Sequence, residues 1–309
     1  MYALGLDFGG TKLAAGVVDL DARRIVDVVQ IPTPPNAVQS CDALLSESLH
    51  LKGIGAIQGI GVSFGGHVRE NRILRSVQVA GWEDFPLVTA LQARFGALPV
   101  QIANDANATA LAEWRFGAGQ DVRSLLYVTV STGIGGGIVI DGRLYEGRHG
   151  AAGEIGHTLV APDGPLCPCG KRGCLEAVAA GPAIARRAVE LFSERLPGSS
   201  PELTARDVAR LAAEGDDLAR QALREAGIFL GTALANALNL LDMDCIVVGG
   251  GVTRSGDLWW QAVKDAAKDA VFRWHSAPDL RLSGLGEHEG IWGGVALIAG
   301  TLRADMPIR

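Results

Sequence analysis

The chain of 309 residues carries 28 Lys and Arg against 34 Asp and Glu, a formal net charge of −6 at pH 7. This length is enough for two domains with their own cores, and 48% hydrophobic with 20% charged residues is typical of a globular rather than a disordered protein. The negative charge gives no general attraction to nucleic acid or anionic lipid, so we expect neither a nucleic-acid nor a membrane partner.

The N-terminal segment YALGLDFGGTKLAAGVVDLDARRIVDVVQ predicts three successive strands. A glycine turn at Gly9 and Gly10 separates the first two strands, and a turn at residues 19–22 separates the second from the third. Asp7 interrupts the first apolar run before a signal peptide could form. We therefore expect a cytoplasmic protein.

A second segment, SLLYVTVSTGIGGGIVIDGRLYEG, repeats this order of elements. It predicts a strand, a glycine-rich turn at residues 133–137, another strand, the hairpin dipeptide Asp141-Gly142 and a short final strand. The repetition indicates two domains of similar construction.

The remainder of the chain alternates helical and strand patterns. Helical patterns occupy residues 179–195, 204–214 and 216–241, and CIVVGGGV at 245–252 predicts the third case of a strand that leads into a glycine turn. Thr204 and Asp207 have the spacing of a capping box, and residues 196–202 have the composition of an exposed loop. This alternation indicates an α/β architecture.

The glycine turns have neighbours that suit a nucleotide phosphate site. Glycine amides can approach an anion closely, and Asp7 precedes the first turn while Thr11 and Lys12 follow it. A carboxylate can hold Mg²⁺ through water while hydroxyls and amides contact phosphate oxygens. The sequence has neither GxxxxGK[ST] nor GxGxxG, and a purely structural hairpin remains the alternative for each turn.

Cysteine usage points to a metal. Cys167, Cys169 and Cys174 lie within eight residues, inside the stretch GEIGHTLVAPDGPLCPCGKRGCLE. In a reducing cytosol this spacing favours metal binding, with a disulfide plus a spare thiol as the alternative. Cys41 and Cys245 are expected to be ordinary buried thiols.

Five segments together resemble the ROK family of bacterial sugar kinases and sugar-responsive repressors. They are LGLDFGGTK, NDANATALAEWRFGAG, STGIGGGIVIDG, GAAGEIGH and CPCGKRGCLEAVAAGPAIARRA, and the resemblance extends from about Leu4 to GIWGGVALIAG. It implies an α/β fold of the actin/hexokinase type, with duplicated ribonuclease H-like domains and an active site in the cleft between them. The expected domains are residues 1–117, completed by a C-terminal helix at 290–309, and residues 118–289, with hinges near 116–120 and 286–290.

The resemblance implies ATP-dependent phosphorylation of a hexose at its 6-hydroxyl, with glucose as the first choice. The aspartate of the NDAN motif, Asp105, would be the catalytic base. The implied sugar-binding residues are Gly66, Asn104, Asp105, Glu154, His157 and Glu176. The implied residues for the nucleotide and its Mg²⁺ are Asp7, Gly9, Gly10, Thr11, Lys12, Thr132, Gly133, Gly249 and Gly250.

Two features bear on these assignments. Without the family, an Asn-Asp pair ahead of a helix is most often an N-cap. The chain also departs from the family pattern, with Ala103 where a Glu usually precedes the pair and Phe64-Gly65-Gly66 in place of APG. These departures bear on sugar specificity rather than on kinase chemistry.

The cysteine stretch acquires a role through the resemblance. His157, Cys167, Cys169 and Cys174 have the ligand types of a Cys₃His zinc site, and four protein ligands leave no open position, so a structural Zn²⁺ is expected. Metal on one ring nitrogen of His157 would fix its tautomer and direct the other N–H at a sugar hydroxyl. The same cluster would hold Glu154 and Glu176 against the sugar.

Other functions within the family stay open. An N-acetylmannosamine, mannose, fructose or allose kinase would share nearly the same residues, and polyphosphate could replace ATP as donor. The family's repressors carry a helix-turn-helix ahead of the DxGGTK strand, whereas six residues precede Asp7 here, so a kinase is expected. A non-catalytic sugar-responsive regulator is disfavoured by the presence of both Asp7 and Asp105. The small-molecule partners expected are a sugar and a nucleotide, and a homodimer or homotetramer is expected.

Overall fold

The computed structural model describes residues 1–76, 78–195, 202–273 and 277–302. The chain divides into two compact units. Unit 1 consists of Met1–Arg123, Gly137–Ala152 and Gly284–Arg309, and unit 2 of Ser124–Gly136 and Gly153–Ser283. The domain limits predicted at residues 117 and 290 stay a prediction. The loop predicted at 196–202 lies outside the described residues except for Glu202, as do residues 303–309 of the predicted C-terminal helix.

Unit 1 contains a five-stranded sheet with the order β3-β2-β1-β4-β7. Its strands are β1 (Tyr2–Phe8), β2 (Lys12–Asp19), β3 (Arg24–Pro32), β4 (Ile57–Phe64) and β7 (Val100–Asn104). The first three are antiparallel, which confirms the predicted strands and turns, while β4 and β7 continue the sheet in parallel with β1. A hairpin of β5 (His67–Arg69) and β6 (Arg72–Arg75) follows β4.

The helices of unit 1 are α1 (Ala37–Ser48), α2 (Leu87–Phe95), α3 (Asp105–Phe116) and α9 (Glu289–Leu302). Helix α9 packs on the sheet at unusually short range, because glycines face it. A Cβ on Gly61 of β4 would collide with the carbonyl of Gly294, and one on Gly5 of β1 with the carbonyl of Ile291. Ile291, Val295 and Ile298 are buried with Ala3 and Val18 in one apolar cluster.

A second sheet has the order β10-β9-β8-β11-β12. Its strands are β8 (Ser124–Val130), β9 (Ile134–Ile140), β10 (Arg143–Leu144), β11 (Cys245–Gly249) and β12 (Leu280–Leu282). The glycine turn predicted at residues 133–137 is shorter than expected, because β9 already begins at Ile134. Gly136 and Gly137 serve close packing instead: a Cβ would lie 2.6 Å from the Gly153 carbonyl oxygen and 2.7 Å from that of Ala106, respectively.

The helices of unit 2 are α4 (Leu175–Ala179), α5 (Gly181–Arg195), α6 (Ala205–Ala213), α7 (Asp217–Leu241) and α8 (Asp257–Ala270). The three predicted helices are confirmed to within two residues at each end. The capping box is also confirmed, since the side chains of Thr204 and Asp207 bond each other's backbone N–H. Cys41 and Cys245 are buried thiols that form no disulfide within the described residues, as expected. None of the helices described here combines the length and the hydropathy that a bilayer crossing requires.

Candidate functional site

In unit 1 the carboxyl ends of three parallel strands bring together residues from distant parts of the sequence. The register pairs Asp7 of β1 with Ser63 of β4, and Phe64 of β4 with Asn104 of β7. The turns that contain Gly9, Gly10 and Gly66 follow β1 and β4 directly, and Asp105 follows β7. Polar side chains at the carboxyl edge of such a sheet occupy the usual position of ligand sites in α/β proteins.

Asn104 is the N-cap of helix α3. Its Oδ1 accepts hydrogen bonds from the backbone N–H of Ala106 at 3.0 Å and of Asn107 at 3.2 Å. Its Nδ2 donates to the carbonyl of Gly66 at 3.0 Å, which ties the NDAN motif to the turn after β4. The capping alternative is therefore correct for Asn104, and the second hydrogen on Nδ2 remains for the predicted sugar contact.

Asp105 begins the same helix and is exposed. Its Oδ1 accepts a hydrogen bond from the backbone N–H of Ala106 at 2.8 Å. Its Oδ2 lies on the side of Gly65, where an added Cβ would be 3.9 Å away. The carboxylate is thus held by the first turn of the helix while remaining accessible, the geometry that a base acting on a bound hydroxyl needs.

Asp7 differs from Asp105 in its environment. Burial, and secondarily the charge of Asp105, raises the pKa of Asp7 to about 7, while Ser63 and Lys12 act in the opposite direction. Two carboxylates close enough to interact repel each other, so a cation placed beside them would be stabilised. This is the environment that the predicted Mg²⁺ role of Asp7 requires.

The family resemblance implies that the turn from Ser63 to Gly66 lines the floor of the sugar site, but the sequence interpretation misses the pairing of Ser63 with Asp7 and misses Gln78 altogether. The signal for Ser63 is an internal similarity: GIGVSFGG in β4 repeats the glycine, aromatic and double-glycine spacing of LGLDFGG in β1, and the register pairs Gly5 with Gly61. Gln78 lies over Gly10, where an added Cβ would collide with its side chain. No pattern in the sequence points to Gln78.

In unit 2 two glycine turns meet at the carboxyl ends of β8 and β11. These strands are parallel, and the register pairs Gly249 with Thr129. Gly250 has a φ of 87°, and a Cβ there would lie 2.5 Å from the Val130 carbonyl oxygen, so only glycine fits this approach. The predicted phosphate residues Thr132, Gly133, Gly249 and Gly250 therefore belong to neighbouring turns.

The four predicted metal ligands of unit 2 converge. One atom from each of His157, Cys167, Cys169 and Cys174 lies within 4.8 Å of the other three. The His157 Nδ1 to Cys167 Sγ distance is 3.7 Å and the Cys169 Sγ to Cys174 Sγ distance is 3.6 Å. A zinc tetrahedron with bonds of about 2.1–2.3 Å has edges of roughly 3.6–3.8 Å, so these two distances match such a site. All three cysteines are free thiols, which is not the disulfide alternative.

The electrostatics of the thiols also suit a cation. Burial raises the pKa of Cys174 to about 12 and also raises the pKa of Cys167. The backbone N–H of Lys171 lowers the pKa of the exposed Cys169. Two buried thiols that resist ionisation alone become thiolates when a metal compensates their charge.

His157 and Glu176 connect this cluster to its surroundings. With Nδ1 directed at Cys167, the Nε2 of His157 lies 3.9 Å from Oε2 of Glu154. Glu176 follows Cys174 by two residues, and its Oε2 accepts a hydrogen bond from the backbone N–H of Ile134 at 2.9 Å. The sequence interpretation placed both glutamates at a sugar but did not foresee this second bond of Glu176.

The chain is similar in sequence to known sugar kinases. The sequence profile described as the ROK family matches residues 3–301. A glucokinase of Streptomyces coelicolor is 34% identical over 95% of this chain and 96% of its own length. An N-acetylmannosamine kinase of Citrobacter koseri is 39% identical over 82% of this chain and 84% of its own.

Solved structures of ROK family proteins are similar to this chain in fold. A ROK hexokinase from Thermus thermophilus has a TM-score of 0.84 at 36% identity, with 99% of each chain covered. A ROK family glucokinase from Streptomyces griseus, in complex with glucose and AMPPNP, has a TM-score of 0.81 at 34% identity, with 97% of this chain and 99% of that chain covered. A ROK family transcriptional regulator has a TM-score of 0.84 at 27% identity, with 97% of this chain and 78% of that chain covered. The fold is therefore the two-unit α/β fold of the actin/hexokinase type.

Proposed function

Because the chain belongs to the ROK family, we propose that it is an ATP-dependent sugar kinase that phosphorylates the 6-hydroxyl of a hexose, with glucose as the preferred substrate. The observation that carries the proposal is the exposed Asp105 carboxylate, held at the start of α3 near enough to the half-buried Asp7 to raise its pKa. The relative from Streptomyces griseus, which binds glucose and an ATP analogue, supports the choice of both substrates.

In this proposal Asp105 accepts the proton of the attacking sugar hydroxyl. A sugar hydroxyl is a weak nucleophile, and a carboxylate fixed within hydrogen-bond reach of it removes the proton as the bond to phosphorus forms. Asn104 and Gly66, joined by their mutual hydrogen bond, would fix the position of the sugar relative to this base. Glu154, His157 and Glu176 would accept and donate bonds to the other hydroxyls.

The nucleotide would bind at the glycine turns, with the amides of Gly9, Gly10, Gly133 and Gly250 facing phosphate oxygens. Thr11, Lys12, Thr132 and Gly249 complete this proposed set. Mg²⁺, when bound with the nucleotide, supplies charge compensation for the phosphates. Asp7 would hold a water of that ion, which favours its ionised form over the protonated form that burial alone produces.

The four cluster residues would hold Zn²⁺, which when bound supplies a cross-link between residues 157 and 174. His157 would then present Nε2 as the sugar-facing atom, since Nδ1 points into the cluster. The position of Nε2 beside Glu154 supports this arrangement. The cluster thereby gives the loop a fixed shape without taking part in phosphoryl transfer.

A second substrate has a specific observation in its favour. The N-acetylmannosamine kinase of Citrobacter koseri is more identical to this chain than the glucokinase of Streptomyces coelicolor is, although over less of its length. Ala103 and Phe64, which replace the residues usual in the family, are the positions where this chain's sugar preference would differ. A single unpaired buried hydroxyl can decide between such sugars.

An ADP-release assay tests the proposal. Glucose, N-acetylmannosamine, mannose, fructose and allose are compared with ATP as donor, and polyphosphate replaces ATP in a parallel series. The expected result is ATP-dependent turnover that is fastest with glucose. Turnover fastest with N-acetylmannosamine would replace the substrate but keep the reaction. Sugar binding without turnover on any of them would overturn the kinase proposal in favour of a regulator.

A further inference from the structure

Ile134, the first residue of β9, is held on both sides by neighbours of the metal-cluster ligands. Its N–H donates to Oε2 of Glu176, two residues beyond Cys174, at 2.9 Å. Its carbonyl faces Gly156, the residue before His157, so closely that an added Cβ would collide with it. Two segments beside the metal ligands therefore contact the backbone of Ile134, one at its N–H and the other at its carbonyl.

That residue ends the turn between β8 and β9. Within this turn the N–H of Ser131 donates to the carbonyl of Gly133 at 2.9 Å, and the carbonyl of Ser131 accepts from Gly181 N–H at 2.8 Å. A Cβ on Gly133 would lie 2.6 Å from Glu176 Oε2. The carboxylate thus lies directly over the peptide that joins Gly133 to Ile134.

The hydrogen bond from the Ile134 N–H to Glu176 Oε2 constrains the orientation of this peptide, and a neutral acceptor at the same reach keeps roughly half of its strength. The conformation of the turn sets the directions of the adjacent backbone N–H groups of Thr132 and Gly133. If the peptide after Gly133 rotates, the amides that precede it lose their alignment with a bound anion.

We propose that Glu176 is a positioning residue for the turn at Thr132 and Gly133, acting through the N–H of Ile134, in addition to its contact with the sugar. This inference rests on the proposed function, which assigns the turn to nucleotide phosphates. In this proposal Oε2 of the carboxylate accepts the Ile134 N–H, and the other oxygen would contact the sugar. Glu176 consequently links the two substrate sites and the metal cluster through one side chain.

Two substitutions separate the role of the hydrogen bond from the role of the charge. Glu176→Gln keeps an acceptor oxygen at the same reach, whereas Glu176→Met keeps the length and removes the acceptor. The dissociation constant of AMPPNP with Mg²⁺ is measured by calorimetry without sugar, and hydrogen exchange of the Ile134 amide is followed in the free protein. We expect Glu176→Met to raise the dissociation constant about tenfold and to accelerate Ile134 exchange, with Glu176→Gln within about threefold of wild type in both.

Two further variants complete the test. Glu154→Gln alters the carboxylate that lies near Nε2 of His157, whereas the Ile134 N–H donates to Glu176, so nucleotide affinity should be unchanged. Gly156→Ala should weaken nucleotide binding like Glu176→Met, because its Cβ displaces the Ile134 carbonyl. The metal content of each variant is measured to show that the cluster is intact.

The results separate this inference from the proposed function. Wild-type nucleotide affinity and wild-type Ile134 exchange in Glu176→Met would overturn the positioning role while leaving the kinase intact. Equal losses in Glu176→Met and Glu176→Gln would also overturn it, since charge rather than the acceptor would then be responsible. A wild-type protein that binds no nucleotide would instead overturn the proposed function, and Ile134 exchange would still decide whether Glu176 fixes the turn.

Discussion

Gly290, in the first turn of α9, lies against the carboxylate of Asp7 in β1: a Cβ added at Gly290 would lie 2.7 Å from Asp7 Oδ1. No side chain fits there unless the carboxylate or the helix moves. The N-terminus of a helix also carries positive partial charge, which offsets part of the cost of an ionised carboxylate at this place. The position of the Asp7 carboxylate therefore depends on how α9 packs against β1.

Gly290→Ala should disturb both stability and nucleotide binding. The added methyl group overpacks the contact, and such insertions cost about 1–3 kcal/mol. We expect a lower melting temperature and weaker Mg²⁺-nucleotide binding in the folded fraction, measured by calorimetry. Gly55→Ala is the control, because a Cβ at Gly55 meets no atom within 4 Å. Equal behaviour of the two variants would contradict the contact between Gly290 and Asp7.

Asp7→Asn should stabilise the free protein at neutral and higher pH. The pKa of Asp7 is about 7 in the folded state against an ordinary value of 3.8, so between these two pH values the folded chain holds a proton that the unfolded chain has released. The free energy of unfolding therefore falls as pH rises through this window, and the substitution removes that fall.

The measurement is the melting temperature of wild type and Asp7→Asn from pH 4 to pH 8, without nucleotide. The two curves should nearly coincide at pH 4 and separate towards pH 8, with the variant more stable. The same variant should bind Mg²⁺-nucleotide poorly, with partial recovery at high Mg²⁺. Parallel curves with no separation would mean that burial does not raise this pKa.

Asp105→Asn should fold normally and lose catalysis. The amide oxygen can still accept the Ala106 N–H, which preserves the start of α3, but the amide is no base. We expect turnover to fall by roughly 10²–10⁴-fold with little change in the sugar dissociation constant. Rapid-quench kinetics and sugar titration measure the two quantities, and near-wild-type turnover would refute the assignment.

Cys169→Ser should lower zinc content and thermal stability, because Ser is a far poorer ligand and structural zinc contributes to folding free energy. The sequence alone predicts that sugar affinity falls and that nucleotide affinity is comparatively spared, since residues 153–176 are distant from the glycine turns along the chain. Ile134, at the end of a glycine turn, contacts both Glu176 and Gly156. Distance along the chain therefore gives no reason to expect that nucleotide affinity is spared. We now expect both affinities to fall.

Elemental analysis of the purified protein and separate sugar and nucleotide titrations check this prediction. Cys41→Ser is the matched control, because Cys41 is a buried thiol in unit 1 and outside the cluster. A wild-type protein without zinc, or a zinc-free variant with unchanged sugar affinity, would end this account of the cysteines.

Local elements were predictable from the sequence because their signals are local. The strands β1 to β3, the helix α7 and the capping box at Thr204 follow from periodicity and turn residues. The sequence alone assigns the glycines of β9 to a turn, because nothing local distinguishes a glycine needed for a positive φ from one needed for close packing. Gly136 and Gly137 belong to the second kind.

Long-range relationships escaped the sequence for a physical reason: they depend on which strands become neighbours. Asp7, Ser63 and Asn104 converge only because β1, β4 and β7 are adjacent. Glu113 is fully buried, and its carboxylate accepts from the backbone N–H of Ala118 at 2.7 Å and of Gly284 at 3.2 Å. These two segments adjoin the predicted hinges, yet no pattern in the sequence marks Glu113 as their common acceptor.

The packing of α9 on β1 and β4 has a consequence for biosynthesis. The ribosome synthesises residues 1–123 long before residues 289–302. The sheet face that carries Gly5 and Gly61 therefore stays uncovered by α9 while all of unit 2 is synthesised. Domains usually fold in the order of synthesis. Here the unit that is begun first is completed last, and the nascent chain exposes the surface for Ile291, Val295 and Ile298 throughout that interval. We expect chaperones to engage this chain through the N-terminal sheet, and release from them to follow the emergence of α9.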